Sequence, residues 1–211
     1  MRVIEVYTSV QGESTFVGLP CVFVRLAGCN LRCTWCDSVY TFKGGVHRSV
    51  DDVVAEVARS GVHLVEVTGG EPLVHRQSIP LMERLLAAGH TVLLETSGSR
   101  DIGVVPAGVH IIMDLKPPDS GEVGANLWSN IEKLTQKDEV KFVIASRLDF
   151  EWSRDVVAKH RLAQRAHVLF SPVFGAIEPR QLVEWMLADA VPARFQLQLH
   201  KLVWPADERG V

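Results

Sequence analysis

What most limits the fold of this chain is a rhythm. Short apolar runs, many rich in Val and Ile, alternate with longer stretches whose apolar residues recur at helical spacing. The runs predict strands over residues 2–7, 21–27, 64–68, 91–95, 109–114, 140–144, 167–170 and 195–200. The clearest helix follows Ser49, where Val50, Val53, Val54, Val57 and Ala58 share one face. Ser49 and Asp52 there form a capping box with Asp in the place of Glu or Gln. A second helix, 79–88, carries Leu81, Met82, Leu85 and Leu86 and is closed by Gly89. Further helices are expected at 125–135, 148–160 and 179–188.

A strand–helix–strand succession gives a mostly parallel sheet with helices outside it. A full eight-unit barrel usually takes about 250 residues. This chain has 211, so an α/β fold is expected: a partial, open β/α barrel forming one domain over 1–211. No repeat, low-complexity stretch or linker interrupts it. Ligands of such folds gather at the C-terminal ends of the strands. The unusual polar residues of this chain fall at those ends.

Charge narrows the partners. The formal net charge is −3, from 22 basic and 25 acidic residues. No strong field draws the whole chain to nucleic acid or a membrane. The densest mixed-charge stretch, 132–141, reads as a solvated helix face and a loop. The N-terminus, MRVIEVYTSVQGES, lacks the apolar core of a signal peptide. No apolar run approaches the roughly 20 residues that span a bilayer, so a cytoplasmic protein is expected. Cytosolic thiols stay reduced, and three of the four cysteines lie within eight residues. Such clustering points to a metal rather than to disulfides.

The clustered segment is GCNLRCTWCDS, with Cys29, Cys33 and Cys36 spaced x3 and x2. Thiolates suit iron–sulfur clusters or zinc. Structural zinc takes four protein ligands, and only three are offered here. Three thiolates on a four-iron cluster leave one iron open. Cys21 lies in the apolar run CVFVRLAG and reads as a small buried hydrophobe. An Asp or His completing a zinc site remains the alternative.

The spacing, with Trp35 before the third cysteine, resembles the cluster loop of the radical S-adenosylmethionine superfamily. Residues 68–72, TGGEP, resemble the segment that receives the methionine amino group in that superfamily. Glycines there let the backbone approach a ligand, and Glu71 fixes the loop or offsets a nearby positive charge. The resemblance implies a 4Fe–4S cluster on Cys29, Cys33 and Cys36. It implies S-adenosylmethionine chelated to the open iron and cleaved to methionine and a 5′-deoxyadenosyl radical. The cofactor contacts it implies are Trp35, Asp37, Gly69, Gly70, Glu71, Ser97, Asp114, Lys116 and Ser171.

Residues 8–14, TSVQGES, ahead of FVRLAGC, resemble the 7-carboxy-7-deazaguanine synthase family of queuosine and 7-deazapurine biosynthesis. The likeness continues through CDS, ETSG, DLKPP, SPVFG and QLQLHKLVW. It implies ring contraction of 6-carboxy-5,6,7,8-tetrahydropterin to 7-carboxy-7-deazaguanine with loss of ammonia. It further implies Mg2+ at Ser38, a homodimer, and a reducing partner such as flavodoxin. The substrate contacts implied are Val10, Gln11, Gly12, Glu13, Arg25, Thr68 and His200. Arg25 brings a planar donor fork suited to a carboxylate. Gln11 and Glu13 bring donors and acceptors for the edge of an aminopterin ring. His200, after Gln196 and Gln198, is expected at the end of the last strand. Two alternatives stay open: an activating enzyme that places a glycyl radical on a protein partner, and a non-catalytic zinc- or cluster-binding module.

Overall fold

The rhythm becomes nine strands and five helices in the computed structural model, which describes residues 1–211. The strands are β1 (Arg2–Val10), β2 (Pro20–Leu26), β3 (Val46–His47), β4 (Leu64–Gly69), β5 (Thr91–Thr96), β6 (His110–Asp114), β7 (Glu139–Ile144), β8 (His167–Pro172) and β9 (Arg194–Phe195). The helices are α1 (Val50–Arg59), α2 (Ser78–Ala87), α3 (Arg147–His160), α4 (Pro179–Ala188) and α5 (His200–Val203). All nine strands form one sheet in the order β3-β1-β2-β4-β5-β6-β7-β8-β9. From β2 through β4 to β9 each neighbour is parallel. β1 runs antiparallel to β2 and carries β3 on the outer edge. The sheet ends on β3 and β9 without closing, as the chain length implied.

Side chains alternate between the faces of each strand. From β2 to β8 the outer face is almost wholly apolar. Val22, Val24, Leu26, Val65, Val67, Val92 and Leu94 pack on Val53 and Val57 of α1 and on Leu81, Met82 and Leu85 of α2. Farther round, Val140, Phe142, Ile144 and Phe170 pack on Phe150 and Val157 of α3 and on Leu182 of α4. Each such side chain contributes about 1.5–3 kcal/mol by leaving water. α1 begins on the expected box: Ser49 Oγ accepts from Asp52 N at 3.1 Å, and an Asp52 carboxylate oxygen lies 3.4 Å from Ser49 N.

The inner face differs. Cys21, Phe23, Leu64, Leu93 and Ile112 fill its lower part as a small apolar cluster. Above and around them stand Arg25, Glu66, Thr68, Glu95, Asp114 and Lys141. A strap, residues 11–16, crosses the open barrel from the β1 edge to the far side. Gln11 meets Glu66 on β4, and Lys141 on β7 donates to Glu13 at 2.7 Å. Thr15 N donates to Glu139 on β7 at 3.0 Å, and Gln196 Nε2 to the Ser14 carbonyl at 2.8 Å.

Three expectations change. Residues 125–135 form no α-helix but two 3-10 segments, Val123–Ala125 and Trp128–Lys133. Their asparagines hold other loops. Asn130 Nδ2 donates to the carbonyls of Gly98 at 3.0 Å and Arg100 at 2.7 Å, while Asn126 exchanges bonds with the Lys116 backbone. The last strand stops at Phe195, so His200 begins a short helix rather than ending a strand. The sheet is left after Gln196 N, which donates to Phe170 O, because Leu199 N then turns to the Gly12 carbonyl at 2.9 Å. The stretch 132–141 is solvated only in its first part: Glu132 and Lys133 are exposed, whereas Asp138, Glu139 and Lys141 are buried, the last two on the inner face of β7.

Candidate active site

A cavity of about 660 Å3 opens at the C-terminal ends of the strands, within the usual range for small-molecule sites. Cys29, Cys33 and Cys36 line its mouth, on the loop between β2 and a 3-10 turn at Val39–Phe42. All three are partly exposed free thiols, whereas Cys21 is fully buried below the floor. Burial pushes the Cys33 thiol up to about 11, although Lys116 works against the shift. Nowhere in the structure are three or more His, Cys, Asp or Glu side chains gathered closely enough to hold a single metal ion. The three sulfurs therefore suit a multi-iron cluster better than one zinc, which draws its ligands within about 2.3 Å of one centre.

The TGGEP loop packs directly against the cysteine loop. Gly70 N donates to Leu26 O at 3.3 Å and Glu71 N to Gly28 O at 2.9 Å. A Cβ at Gly69 would collide with the Leu26 backbone, and one at Gly70 with the Gly28 carbonyl and Cys29. These glycines thus admit a neighbouring backbone, where the sequence suggested only a ligand. Glu71 is wholly buried and does not line the cavity. Its carboxylate accepts from Leu73 N at 2.9 Å, Thr96 Oγ1 at 2.9 Å, Ser97 N at 2.8 Å and Ser97 Oγ at 2.5 Å. It fastens the β4 loop to the β5 loop and so keeps the cysteine loop in place.

Trp35, Asp37, Ser38, Gly69, Gly70, Ser97, Asp114 and Lys116 all reach the cavity. Lys116 Nζ pairs with Asp114 at 2.9 Å. Lys201 of α5 pairs with Asp37 at 2.9 Å, and this outweighs burial to hold the Asp37 carboxyl below the usual range. The Ser38 hydroxyl lies 3.7 Å from Cys36 Sγ. Ser171 is buried on the inner face of β8 and lines no part of the cavity; its neighbours Val173 and Phe174 do.

The same cavity is lined by Val10, Gln11, Gly12, Glu13, Arg25, Thr68 and His200, every one a residue singled out in the sequence. Gly12 is pressed against His200, leaving no room for a Cβ. Burial lowers the His200 ring below its ordinary value despite the nearby Glu13 carboxylate. Thr68 Oγ1 donates to Glu95 at 3.0 Å.

Within the cavity Glu13 belongs to a charge network whose centre the motifs did not name. Lys141 is 4% exposed and joins Glu13, at 2.7 Å, to Glu95. Burial alone would raise the Glu95 carboxyl, but Lys141 and the Thr68 hydroxyl hold it at about 2. Glu66 accepts from Gln11 Nε2. Tyr7, Tyr40, Gln198 and residues 206–211 also line the cavity. A usable signal existed for Glu66 and Lys141: Glu66 is the one charge in the strand LVEVTG, and Lys141 is flanked by Val140 and Phe142 in EVKFVI.

Comparison with known proteins shows the family and the fold. A profile of the radical SAM superfamily matches residues 24–158. A Koribacter versatilis protein named 7-carboxy-7-deazaguanine synthase is 46% identical over 226 residues, covering 100% of each chain. A Chlorobaculum tepidum protein of the same name is 41% identical over 214 residues, covering 100% of this chain and 97% of its own. Among solved structures, QueE from Escherichia coli superposes with a TM-score of 0.77 at 24% identity, covering 94% of each chain. That structural likeness speaks for the fold.

Proposed function

The chain belongs to the radical SAM superfamily and, within it, to the 7-carboxy-7-deazaguanine synthases, and from that membership we propose how its cavity carries out the family reaction. The reaction is ring contraction of 6-carboxy-5,6,7,8-tetrahydropterin to 7-carboxy-7-deazaguanine with release of ammonia, in queuosine and 7-deazapurine biosynthesis. A 4Fe–4S cluster and S-adenosylmethionine are the cofactors, and a reductant must feed the cluster. When bound, they supply a hydrogen-abstracting adenosyl radical.

The chain's own residues hold, orient and shield. Cys29, Cys33 and Cys36 hold the cluster by three thiolates. Gly69, Gly70, Ser97, Trp35 and Asp37 border the sulfonium, with Glu71 locking the loops from behind. The Asp114–Lys116 pair offers one acceptor and one donor for its ribose and carboxylate. Ser171 belongs to the shell behind Val173 and Phe174. The strap backbone at Val10, Gln11, Gly12 and Glu13, with Thr68 and His200, grips the pterin, and Arg25 takes its carboxylate. Ser38 contributes one hard oxygen to Mg2+, too little to bind the ion without substrate oxygens. The reductant is a flavodoxin-like protein, the working form is a homodimer, and the compartment is the cytoplasm. No helix is long and apolar enough to cross a membrane.

The observation that carries the reading is that the cysteine loop and the strap with Arg25 open into one cavity. Radical source and carboxylate receptor share a single space. Residues 206–211 lie along the same lining, which favours a small substrate over a protein loop. The test is anaerobic reconstitution, reduction, and addition of S-adenosylmethionine with carboxytetrahydropterin. Deazapurine absorbance and ammonia should appear, and chelation of Mg2+ should slow them. Cys33→Ala should lose cluster and turnover, while Cys21→Ala keeps both. Cleavage of S-adenosylmethionine with neither product would refute the assignment.

A further inference from the structure

Arg25 leaves the inner face of β2 toward the cavity with two of its three nitrogens already engaged. Nε donates to Glu5 Oε1 at 2.9 Å, and Nη2 donates to the Tyr7 hydroxyl at 2.8 Å. Glu5 is held in turn by the Tyr40 hydroxyl, which donates to it at 3.0 Å. The β1–β2 register puts Glu5 opposite Arg25 and Tyr7 opposite Phe23. The Tyr7 ring stacks on Phe23 with centroids 5.1 Å apart and planes 14° from parallel. Tyr7 therefore cannot swing away without giving up that stack. Arg25, Tyr7 and Tyr40 line the cavity, and Glu5 stands behind them. Nη1 makes no hydrogen bond within the chain.

An unrestrained arginine surrenders much rotamer freedom when it grips a ligand. This one is pinned at two corners before any ligand arrives. What remains free is Nη1 and the second N–H of Nη2, a coplanar pair that matches the two oxygens of a carboxylate. Burial, together with the Glu5 carboxylate, pushes the Tyr40 phenol up to about 12 against the pull of Arg25. The phenol thus keeps its proton for Glu5 at any working pH.

We propose that Glu5 and Tyr7, with Tyr40 behind Glu5, are positioning residues that aim the free corner of Arg25 and so make the site select a carboxylate over an uncharged group at the same place on the substrate. This rests on the reading of the cavity as a pterin pocket. Preorganisation of this kind acts on affinity through the ordering cost it removes. It should therefore appear as a preference between two ligands rather than as a general loss.

The test uses cluster-loaded protein and two stable fluorescent probes, 6-carboxypterin and its carboxamide, titrated at equilibrium. Wild type should prefer the carboxylate by about tenfold or more, as a charge-assisted contact does. Glu5→Leu should cut that preference about fivefold and Tyr7→Phe about threefold. Glu5→Gln still accepts from Nε and should restore most of it. Carboxamide affinity and iron content should stay at wild-type values in all three, which a merely loosened site would not allow, while Tm should fall in Glu5→Leu, where Arg25 loses its carboxylate partner. An unchanged preference in Glu5→Leu and Tyr7→Phe overturns the inference, as does a wild type that binds both probes equally. A wild type that shows the preference yet turns over no carboxytetrahydropterin sinks the pterin reading and leaves the positioning role standing.

Discussion

The two faces of the sheet are made from alternate residues of the same strands and obey different rules. From β2 to β8 the outer face carries no charged side chain, and its apolar residues meet helices. The inner face begins as the apolar cluster of Cys21, Leu64 and Leu93 and passes into Arg25, Glu66, Glu95, Asp114 and Lys141 within one or two alternations. Hydrophobic residues of about the right size satisfy the outer face, because dispersion and desolvation are non-directional. Inner-face groups need named partners, because a buried charge without one is costly. Stability is thus spread over many outer residues, and function is concentrated in a few inner ones.

Lys141→Met should break the inner face most severely. It leaves Glu13 and Glu95 without their shared cation, and the strap without its tie to β7. Removing one member of a buried ion pair costs about 3–5 kcal/mol. Glu95 keeps access to the cavity, which places the cost near about 3 kcal/mol. Turnover should fall about a hundredfold or more, since small misplacements of a positioning segment cost that much. Urea titration and the pterin assay measure the two losses. A variant that loses stability yet turns over normally would remove the strap from the substrate site.

Leu94→Ala is the matching break on the outer face. Leu94 is fully buried among Val65, Val67 and Leu85. The expected cost is about 2–5 kcal/mol, from transfer plus the cavity left behind. The folded fraction should keep kcat and KM within about twofold. An activity loss beyond the unfolded fraction would mean that the two faces are coupled through the strand.

What the sequence disclosed divides along the same line. The outer face was legible, because Val-rich runs and the 3.6-residue pattern after Ser49 are local signals. So were the cysteine loop, TGGEP and VQGES, whose residues sit close together in the chain. The strap was not. Thr15 and Glu139 lie 124 positions apart, and Glu13 and Lys141 lie 128 apart. No local pattern announces such pairs. Lys141 was masked by its company, since 132–141 reads as a mixed-charge surface until its last residues enter β7. Asn126 and Asn130 defeated the helix at 125–135 for a similar reason: their side chains answer to distant loops. His200 reaches the cavity from a short helix rather than from a strand end, because the two glutamines before it leave the sheet for the strap.

The mildest break concerns Glu66, which sits at the boundary between the apolar and charged parts of the inner face. Burial, with Glu95 and Glu13 nearby, pushes its carboxyl well above the usual carboxylate range, although Lys141 and Arg25 oppose the shift. In the unfolded chain the same group loses its proton near pH 4.3. Between that pH and the raised value, the folded state holds a proton that the unfolded state has lost. The contribution of Glu66 to stability is therefore fully present below the unfolded pKa and declines as pH rises toward the folded one, by at most about 1.4 kcal/mol per pH unit. Glu66→Gln removes this decline and leaves a side chain of nearly the same shape beside Gln11. The variant should gain on wild type between pH 5 and pH 8, each 1 kcal/mol being worth about 2–4 °C in a chain of this size. Calorimetry at the two pH values reads the gain directly. An equal Tm difference at both would mean that Glu66 is ionised in the folded protein, and that the apolar part of the inner face ends on a full charge rather than on an acid.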